Sequence, residues 1–248
     1  MKIAVISDIH GNTYALNAVL DDIQAESCQK VFCLGDIAMA GAEPDKTIAQ
    51  IQSMINDDFI VIQGNTDKMI ADFDMIPAIT FTDDSAPMLN ALKSDMELIS
   101  DSQVKFLKNL AAQKEIEIFG KKILLVHGSP RRNNEDISPN LPIETVEEII
   151  SDTNADIIFC GHTHIPCGYQ TNTKQTVVNV GSVGRPLTPN NVKCCYAILN
   201  IFEDGSFEIE HKFVKYDNIK ASNLLKARGY KGSDKIASLL INPTSRHG

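Results

Sequence analysis

The chain has 248 residues, of which 43% are hydrophobic, enough for one large domain or two small ones. Its formal net charge is −9, and an acidic surface repels phosphate backbones, so we expect no extended nucleic-acid binding. No apolar run approaches the length of a membrane span, and the segment after Met1 lacks a signal-peptide pattern, so we expect a cytoplasmic protein without membrane contact.

The N-terminal part alternates strands with helices. Apolar, β-branched runs predict strands, and apolar residues at helical spacing predict helices. These are strands at Lys2–Ser7, Lys30–Leu34 and Phe59–Ile62, a helix at Thr13–Ala25 and a helix that begins at Pro44. The β-α-β-α-β order predicts a parallel sheet with right-handed crossovers.

Residues 67–113 interrupt this alternation, and we interpret them as a helical insertion over one edge of the fold. One helix is predicted at Ala86–Met96. A second is predicted at Ser100–Ala112, where Ser100 and Gln103 can form a capping box.

The C-terminal half is predicted to be rich in strands. A hairpin around Gly120-Lys121, a helix and a strand come first, followed by three strands that we expect to form an antiparallel set. The predicted bounds are strands Glu115–Phe119 and Lys122–Val126, helix Ile143–Ser151, and strands Asp156–Phe159, Thr176–Asn179, Cys195–Ile201 and Phe207–Val214. Residues 217–248 form a tail with two predicted helices, broken at 229–232. The two β-rich halves predict two packed sheets with helices outside.

Seven candidate metal ligands each follow an apolar strand, where sheets flanked by helices bind their ligands. They are Asp8, His10, Asp36, Asn65, His127, His162 and His164. Asp8 and His10 are two residues apart, as are His162 and His164, and alternate side chains of an extended backbone point the same way. Each pair can therefore reach one ion. The full set is enough for two ions that share a bridging carboxylate, and such sites typically catalyse attack on phosphorus.

Each motif is weak alone, because Gly-Asp and Gly-Asn usually mark turns. Their conjunction in this order is the strong signal. Imidazole, carboxylate and amide ligands without thiolate suit manganese, iron, zinc or nickel, and manganese is favoured.

These ordered motifs resemble those of the calcineurin-like metallophosphoesterase superfamily, specifically its small bacterial and archaeal phosphodiesterase branch. The similar segments are Asp8–Asn12, His127–Pro130, Gly161–His164 and Asn179–Pro186. The resemblance extends to about residue 215. It implies an α/β fold: a four-layer α-β-β-α sandwich of two mixed sheets with outer helices and a small helical insertion. We expect one domain over residues 1–248, with the insertion at 67–113 near the active site.

The resemblance also implies a division of the ligands between two ions. One ion would take Asp8, His10, Asp36 and His164, and the other Asp36, Asn65, His127 and His162. Asp36 would bridge the ions together with a solvent hydroxide that acts as the nucleophile. Asp36, Asn65 and His127 are accordingly the candidate catalytic residues.

The chain departs from many superfamily members directly after the metal-binding asparagine, where Thr66 replaces a histidine that assists the leaving group. The two histidines outside the ligand set, His211 and His247, lie in a late strand and in the tail, and neither is well placed to substitute. We therefore expect a preference for leaving groups that need no protonation, such as phenolates and nucleotides released from phosphoanhydrides.

Three further residues are candidates for substrate binding. Asn12 could contact the substrate phosphate or cap the first helix. Arg131, or its neighbour Arg132, could clamp a phosphate or form a solvated pair with nearby acidic residues. Arg185 could have a structural role or lie at the rim of the site, and Asp67 could orient Asn65 or lie at the surface.

The leading functional hypothesis is a dinuclear-metal-dependent phosphoesterase for small phosphodiesters or nucleotide phosphoanhydrides. A dinucleoside polyphosphate hydrolase is the close alternative, and a phosphoprotein phosphatase is less favoured because apolar residues follow Asp36. A non-catalytic scaffold of the same fold, like a retromer subunit that the superfamily includes, is the alternative from another class. All seven ligand positions are filled, which argues against a scaffold.

Overall fold

The computed structural model describes residues 1–82 and 86–244, so His247 lies outside the described residues. Within them, ten strands form two five-stranded sheets. The strands are β1 (Lys2–Ile6), β2 (Lys30–Cys33), β3 (Phe59–Val61), β4 (Gln113–Ile118), β5 (Lys121–Val126), β6 (Ile157–Cys160), β7 (Cys167–Gln170), β8 (Thr176–Asn179), β9 (Cys194–Ile201) and β10 (Phe207–Val214). The first sheet has the order β10-β9-β1-β2-β3, and the second has the order β4-β5-β6-β8-β7.

The described residues also form eight α-helices. They are α1 (Thr13–Ala25), α2 (Pro44–Met54), α3 (Asn65–Ala71), α4 (Pro87–Met96), α5 (Asp101–Lys108), α6 (Ile143–Ile149), α7 (Asn218–Lys226) and α8 (Ser233–Leu239). Short 3₁₀ turns follow α3 at Phe73–Met75 and Ala78–Thr80. In the described part of the chain, no helix is both long enough and apolar enough to cross a membrane.

The two sheets pack face to face, because alternate residues of a strand point to opposite faces. In β1, Ile3 and Val5 join a buried cluster with β5 and β6 of the other sheet, whereas Ala4 and Ile6 join the cluster formed with α1 and α2. On the far side of the second sheet, α6 covers a third cluster. This order of layers confirms the predicted four-layer sandwich.

The parallel pairing of β1, β2 and β3 confirms one prediction. The predicted antiparallel set of late strands is confirmed for β9 and β10 but wrong for β8. β8 pairs with β6 and β7 in the second sheet, and the β9–β10 hairpin pairs antiparallel with β1 in the first. β9 is apolar along almost its whole length, and such a strand needs cover on both faces. Its place beside β1 provides that cover.

Several local predictions also need correction. α5 ends at Lys108 rather than at Ala112, because the chain turns to pair with Ile62 through a bridge at Ala111. The hairpin turns at Phe119-Gly120, both with positive φ, rather than at Gly120-Lys121. Two elements, α3 and β7, were not predicted.

The tail returns to the N-terminal half of the molecule. α7 packs against α1, and α8 packs against α7 and α4. A buried ion pair between Arg228, directly after α7, and Asp95 of α4 joins the tail to residues 67–113. Arg228 also donates to the carbonyl of Gly41, and Asp95 accepts from the amide of Ala40. Both helical additions are thereby tied to the loop after β2.

Candidate metal centre

Three of the predicted ligands, Asp8, His10 and His164, form a compact group, and Asp36 approaches it from the side of His10 to complete a first donor set. Nε2 of His164 lies 3.0 Å from Nε2 of His10 and 3.2 Å from Oδ1 of Asp8. Oδ2 of Asp36 lies 3.7 Å from Nε2 of His10. Ligand atoms about 2 Å from a divalent ion are separated from each other by distances of this order. The set is the one that the resemblance assigns to the first ion.

A second donor set shares Asp36 with the first. Nε2 of His127 lies 3.3 Å from Oδ2 of Asp36, 3.0 Å from Oδ1 of Asn65 and 3.9 Å from Oδ1 of Asp8. Because the same oxygen of Asp36 approaches both His10 and His127, this carboxylate lies between the two sets. The ring centroid of His162 lies 5.4 Å from that of His127.

The paired ligands converge for a different reason from the one predicted. The backbone at these positions is not extended: φ is +56° at Asp8, +48° at His10, +54° at Asp36, +65° at His162 and +64° at His164. Non-glycine residues rarely adopt this left-handed conformation, and such strain is concentrated at functional sites. The strand ends turn sharply, and the turn directs both members of each pair into the centre.

Two glycines make the close approach of these loops possible. A Cβ atom on Gly64 would lie 2.1 Å from Oδ1 of Asp36, and one on Gly161 would lie 2.5 Å from Oδ2 of Asp8. Neither contact is sterically possible, so only glycine fits beside these two carboxylates.

Backbone carbonyls orient three of the histidines. Nδ1 of His10 donates to Met39, that of His127 to Leu34 and that of His164 to Arg185, over 2.7, 2.8 and 2.7 Å respectively. Each bond places a proton on Nδ1, so that Nε2 presents a lone pair to the centre whenever the ring is neutral.

The hydrogen bonds at Nδ1 also bear on whether a metal ion fits between the donor atoms. The lone pairs of His10 and His164 face each other across 3.0 Å, and only a cation or a proton between them relieves the repulsion. Oδ1 of Asp8 is fully buried and has no hydrogen-bond partner among the described residues. A buried carboxylate oxygen without a donor is costly unless a cation pairs with it. The residues therefore fit divalent ions.

The electrostatics of the cluster point the same way. Burial raises the pKa of Asp8 and Asp36, but neighbouring imidazoles outweigh this effect and hold both values well below the usual range. Burial lowers the pKa of His127, whereas the Asp36 carboxylate raises it, to about 10. Burial and the charge of Arg185 lower the pKa of His10. Binding of cations would release the proton from His127, as metal binding to imidazole requires.

Asp67 was expected to orient the side chain of Asn65, but its hydrogen bonds are to backbone amides of the loops around the centre. Its carboxylate accepts from the amides of Asp36, Ile37 and Gly64 over 2.8–2.9 Å. Burial and the charge of Asp36 raise its pKa to about 7. Nearby divalent ions would lower it again.

His162 has an acidic partner that the sequence did not single out. Its Nε2 lies 3.3 Å from Oδ1 of Asp136, in the loop that follows His127. A carboxylate of this kind orients a metal-binding imidazole. Asp136 precedes the ligand by 26 positions in the chain, too far for a local motif to reveal the contact.

The three predicted substrate contacts occupy different surroundings. Asn12 caps α1 by accepting from the amide of Ala15 and donates to the carbonyl of Gly184. Arg131 pairs with Glu135 and Glu148. Arg185 differs from both, because its Nη2 lies 3.4 Å from Nε2 of His10 and its side chain lines the cavity over the donor sets.

That cavity has a volume of about 410 Å³, within the range of small-molecule sites. Its floor consists of the candidate ligands His10, Asp36, Asn65, His162 and His164. Beside the floor lies Thr66, whose hydroxyl is buried and has no hydrogen-bond partner among the described residues.

Another wall of the cavity comes from the helices. α4 contributes Pro87 and Met88, and α8 contributes Lys235, Ile236 and Leu239. We define these five residues as the helical wall. No functional signal in the sequence points to these residues, because their apolar spacing is that of any buried helix face.

Comparison with known proteins identifies relatives along most of the chain. The model of the calcineurin-like phosphoesterase superfamily domain matches residues 1–204. An uncharacterised protein of Methanocaldococcus jannaschii is 34% identical over 239 residues, and the match covers 88% of this chain and 89% of that protein.

Two solved structures have the same fold. One is a hypothetical protein from Pyrococcus horikoshii, with a TM-score of 0.86, 22% identity, and coverage of 98% of this chain and 99% of the other. The second is a metallophosphoesterase from Sphaerobacter thermophilus, with a TM-score of 0.75, 21% identity and 98% coverage of both chains. The structural match, unlike the superfamily model, extends over the tail.

Proposed function

This chain belongs to the calcineurin-like phosphoesterase superfamily, and we propose that it hydrolyses small phosphodiesters or nucleotide phosphoanhydrides with two divalent ions, manganese being favoured. The observation that carries the proposal is the pair of donor sets that share Asp36. A scaffold would not need buried carboxylates in strained backbone, since nothing in a scaffold's role repays that cost.

Divalent ions bound here would polarise phosphoryl oxygens and lower the pKa of a water molecule. The chain's own residues provide the geometry for this chemistry. Asp36 stands between the two donor sets, so its carboxylate would fix their separation. Asn65 and His127 complete the second set, and the carbonyl bonds of His10 and His164 hold the first set rigid.

Two further side chains would act on the substrate. The guanidinium of Arg185, above His10, would pair with a non-bridging phosphoryl oxygen. The Thr66 hydroxyl would donate a hydrogen bond to another oxygen of the substrate. An aliphatic hydroxyl is too weak an acid to protonate a departing alkoxide, so we retain the expected preference for good leaving groups.

The test is turnover of bis-p-nitrophenyl phosphate and p-nitrophenyl phosphate by protein stripped of metal and then restored with Mn²⁺. We expect faster turnover of the diester, dependent on Mn²⁺. A preference for the monoester would indicate a phosphatase. Tight binding of Mn²⁺ without turnover of either compound, or of a panel of dinucleoside polyphosphates, would refute the proposal and favour a scaffold.

A further inference from the structure

We infer that the helical wall binds an apolar organic group of the substrate, so that this protein selects phosphate esters with an aryl or similarly compact apolar substituent. The inference rests on the proposed function and narrows its substrate class. It starts from the contrast between the cavity's charged floor and the apolar side chains of the wall.

The wall is a fixed part of the fold. Ser222 of α7 donates to the carbonyl of Ala237 over 2.8 Å, and Asn218 donates to that of Leu240 over 3.0 Å. At the start of α8, Gly232 has φ +97°, and a Cβ atom there would lie 2.8 Å from Pro87 of α4. The two helices therefore meet too closely for any residue but glycine, and the wall is formed before a substrate arrives.

The size of the cavity exceeds what a phosphate group needs. The cavity volume of about 410 Å³ is more than ten times the ~30 Å³ that one water molecule occupies in the liquid. A phosphoryl group would therefore fill only part of the cavity. The remaining space is bounded by Met88, Ile236, Leu239 and, from the loop after Arg185, Leu187. Surfaces of this kind bind by excluding water from apolar groups.

The polar groups available in the cavity favour an apolar ester over a nucleobase. Beyond the ligand set, the polar side chains of the described lining are Thr66, Arg185 and Lys235. Two of these are cations suited to the phosphoryl charge, and the third is a hydroxyl beside Asn65. None is a carboxylate or an amide, the side chains that accept from the amino groups of bases. The wall would therefore recognise the shape of the organic group.

The first measurement is binding of phenylphosphonate and methylphosphonate to the Mn²⁺-loaded full-length protein by calorimetry. Both probes carry the same anionic group and contain no ester bond. We expect phenylphosphonate to bind roughly 10- to 100-fold more tightly, since its ring would be buried against the wall. Thymidine 5′-monophosphate should bind no more tightly than phenylphosphonate. Equal affinity for the two phosphonates would overturn the inference.

A matched pair of variants locates the effect. Leu239→Asn places an amide in the wall, whereas Leu224→Asn makes the same exchange at an exposed position of α7 outside the cavity. Leu239→Asn should reduce the phenyl-to-methyl affinity ratio to less than about 3, and should raise KM for bis-p-nitrophenyl phosphate more than it lowers kcat. Leu224→Asn should change neither quantity. An unchanged ratio in Leu239→Asn would refute the assignment.

The two proposals can fail separately. Absence of Mn²⁺-dependent turnover, with the phenyl preference and its loss in Leu239→Asn intact, would remove the proposed catalysis but leave the apolar subsite standing. Turnover of the diester with no phenyl preference would leave the catalysis standing and remove the subsite.

Discussion

The two sides of the cavity are built in opposite ways. The floor consists of charged and polar side chains, most of them on strained turns at strand ends, and hydrogen bonds to the backbone fix those of His10, Asp36 and His164. The helical wall consists mainly of apolar side chains on regular helices, which come from residues 67–113 and from the tail. The difference indicates that the chemistry depends on the sheets, whereas the choice of substrate depends on helices that pack across them.

The largest expected effect concerns the floor. Asp36→Asn removes the charge shared by the two donor sets, so we expect turnover of bis-p-nitrophenyl phosphate to fall by roughly 10³-fold or more, which corresponds to about 4 kcal/mol. Metal analysis should show fewer than two tightly bound Mn²⁺ ions per chain.

Asp74→Asn is the matched control, because it makes the same change at an exposed carboxylate in a 3₁₀ turn. It should keep both turnover and metal content. If Asp36→Asn retained two ions and near-normal turnover, Asp36 would not be the bridging residue, and the floor would not be the chemical side of the cavity.

The next effect concerns the anchoring of the wall. Arg228→Met leaves the buried Asp95 carboxylate without its cation, and losing one partner of such a pair costs about 3–5 kcal/mol. We expect the free energy of unfolding in urea to fall by this amount. Because Asp95 and Arg228 also bind the backbone of Ala40 and Gly41, next to the carbonyl that orients His10, the affinity for Mn²⁺ should fall as well.

Arg131→Met is the control for this change, since the pair of Arg131 with Glu135 is partly exposed to solvent and should contribute little to stability. The double variant Asp95→Leu, Arg228→Met should recover part of the lost stability, because it buries no unpaired charge. A cost below 1 kcal/mol for Arg228→Met alone would mean that the wall is only loosely attached.

This contrast also explains what could be predicted from the sequence. The candidate ligands adjoin apolar strands in short motifs with glycine, so a local pattern was enough to single out these seven positions. The assignment of β8 and β9 to different sheets depends on contacts between distant parts of the chain, and so does the partnership of Asp136 with His162. Helical periodicity identifies a buried face but not what that face covers, so Ile236 and Leu239 carried no functional signal.

A smaller effect tests the junction between floor and wall at Thr66. We expect log kcat for aryl methyl phosphates to depend steeply on the pKa of the leaving phenol, because the described lining offers no acid to protonate it at that position. Thr66→His introduces an imidazole there and should flatten this dependence, with a gain of about 10²-fold for the poorest leaving groups. Thr66→Asn, which is polar but not acidic, should leave the slope steep. A flat dependence in the wild-type protein would show that another group already serves as the acid.

The smallest effect lies beneath the floor. Nε2 of His211 in β10 donates to the carbonyl of Asn179 across the two sheets, and the side chain of Asn179 donates to the carbonyl of Gly161 beside the His162 loop. Burial lowers the pKa of His211, so the unfolded chain binds a proton more readily than the folded protein. The resulting stability is present above the ordinary histidine pKa and is lost as pH falls through the folded value.

His211→Gln keeps a donor for the same carbonyl but cannot titrate. In metal-free protein, we therefore expect the loss of unfolding free energy between pH 7.5 and 5.5 to be smaller in His211→Gln than in the wild type, by about 1 kcal/mol or less. The site histidines are present in both proteins, so their protonation cancels in the difference. Identical pH dependence in the two proteins would mean that protonation of His211 does not weaken its contact with Asn179 between the two sheets.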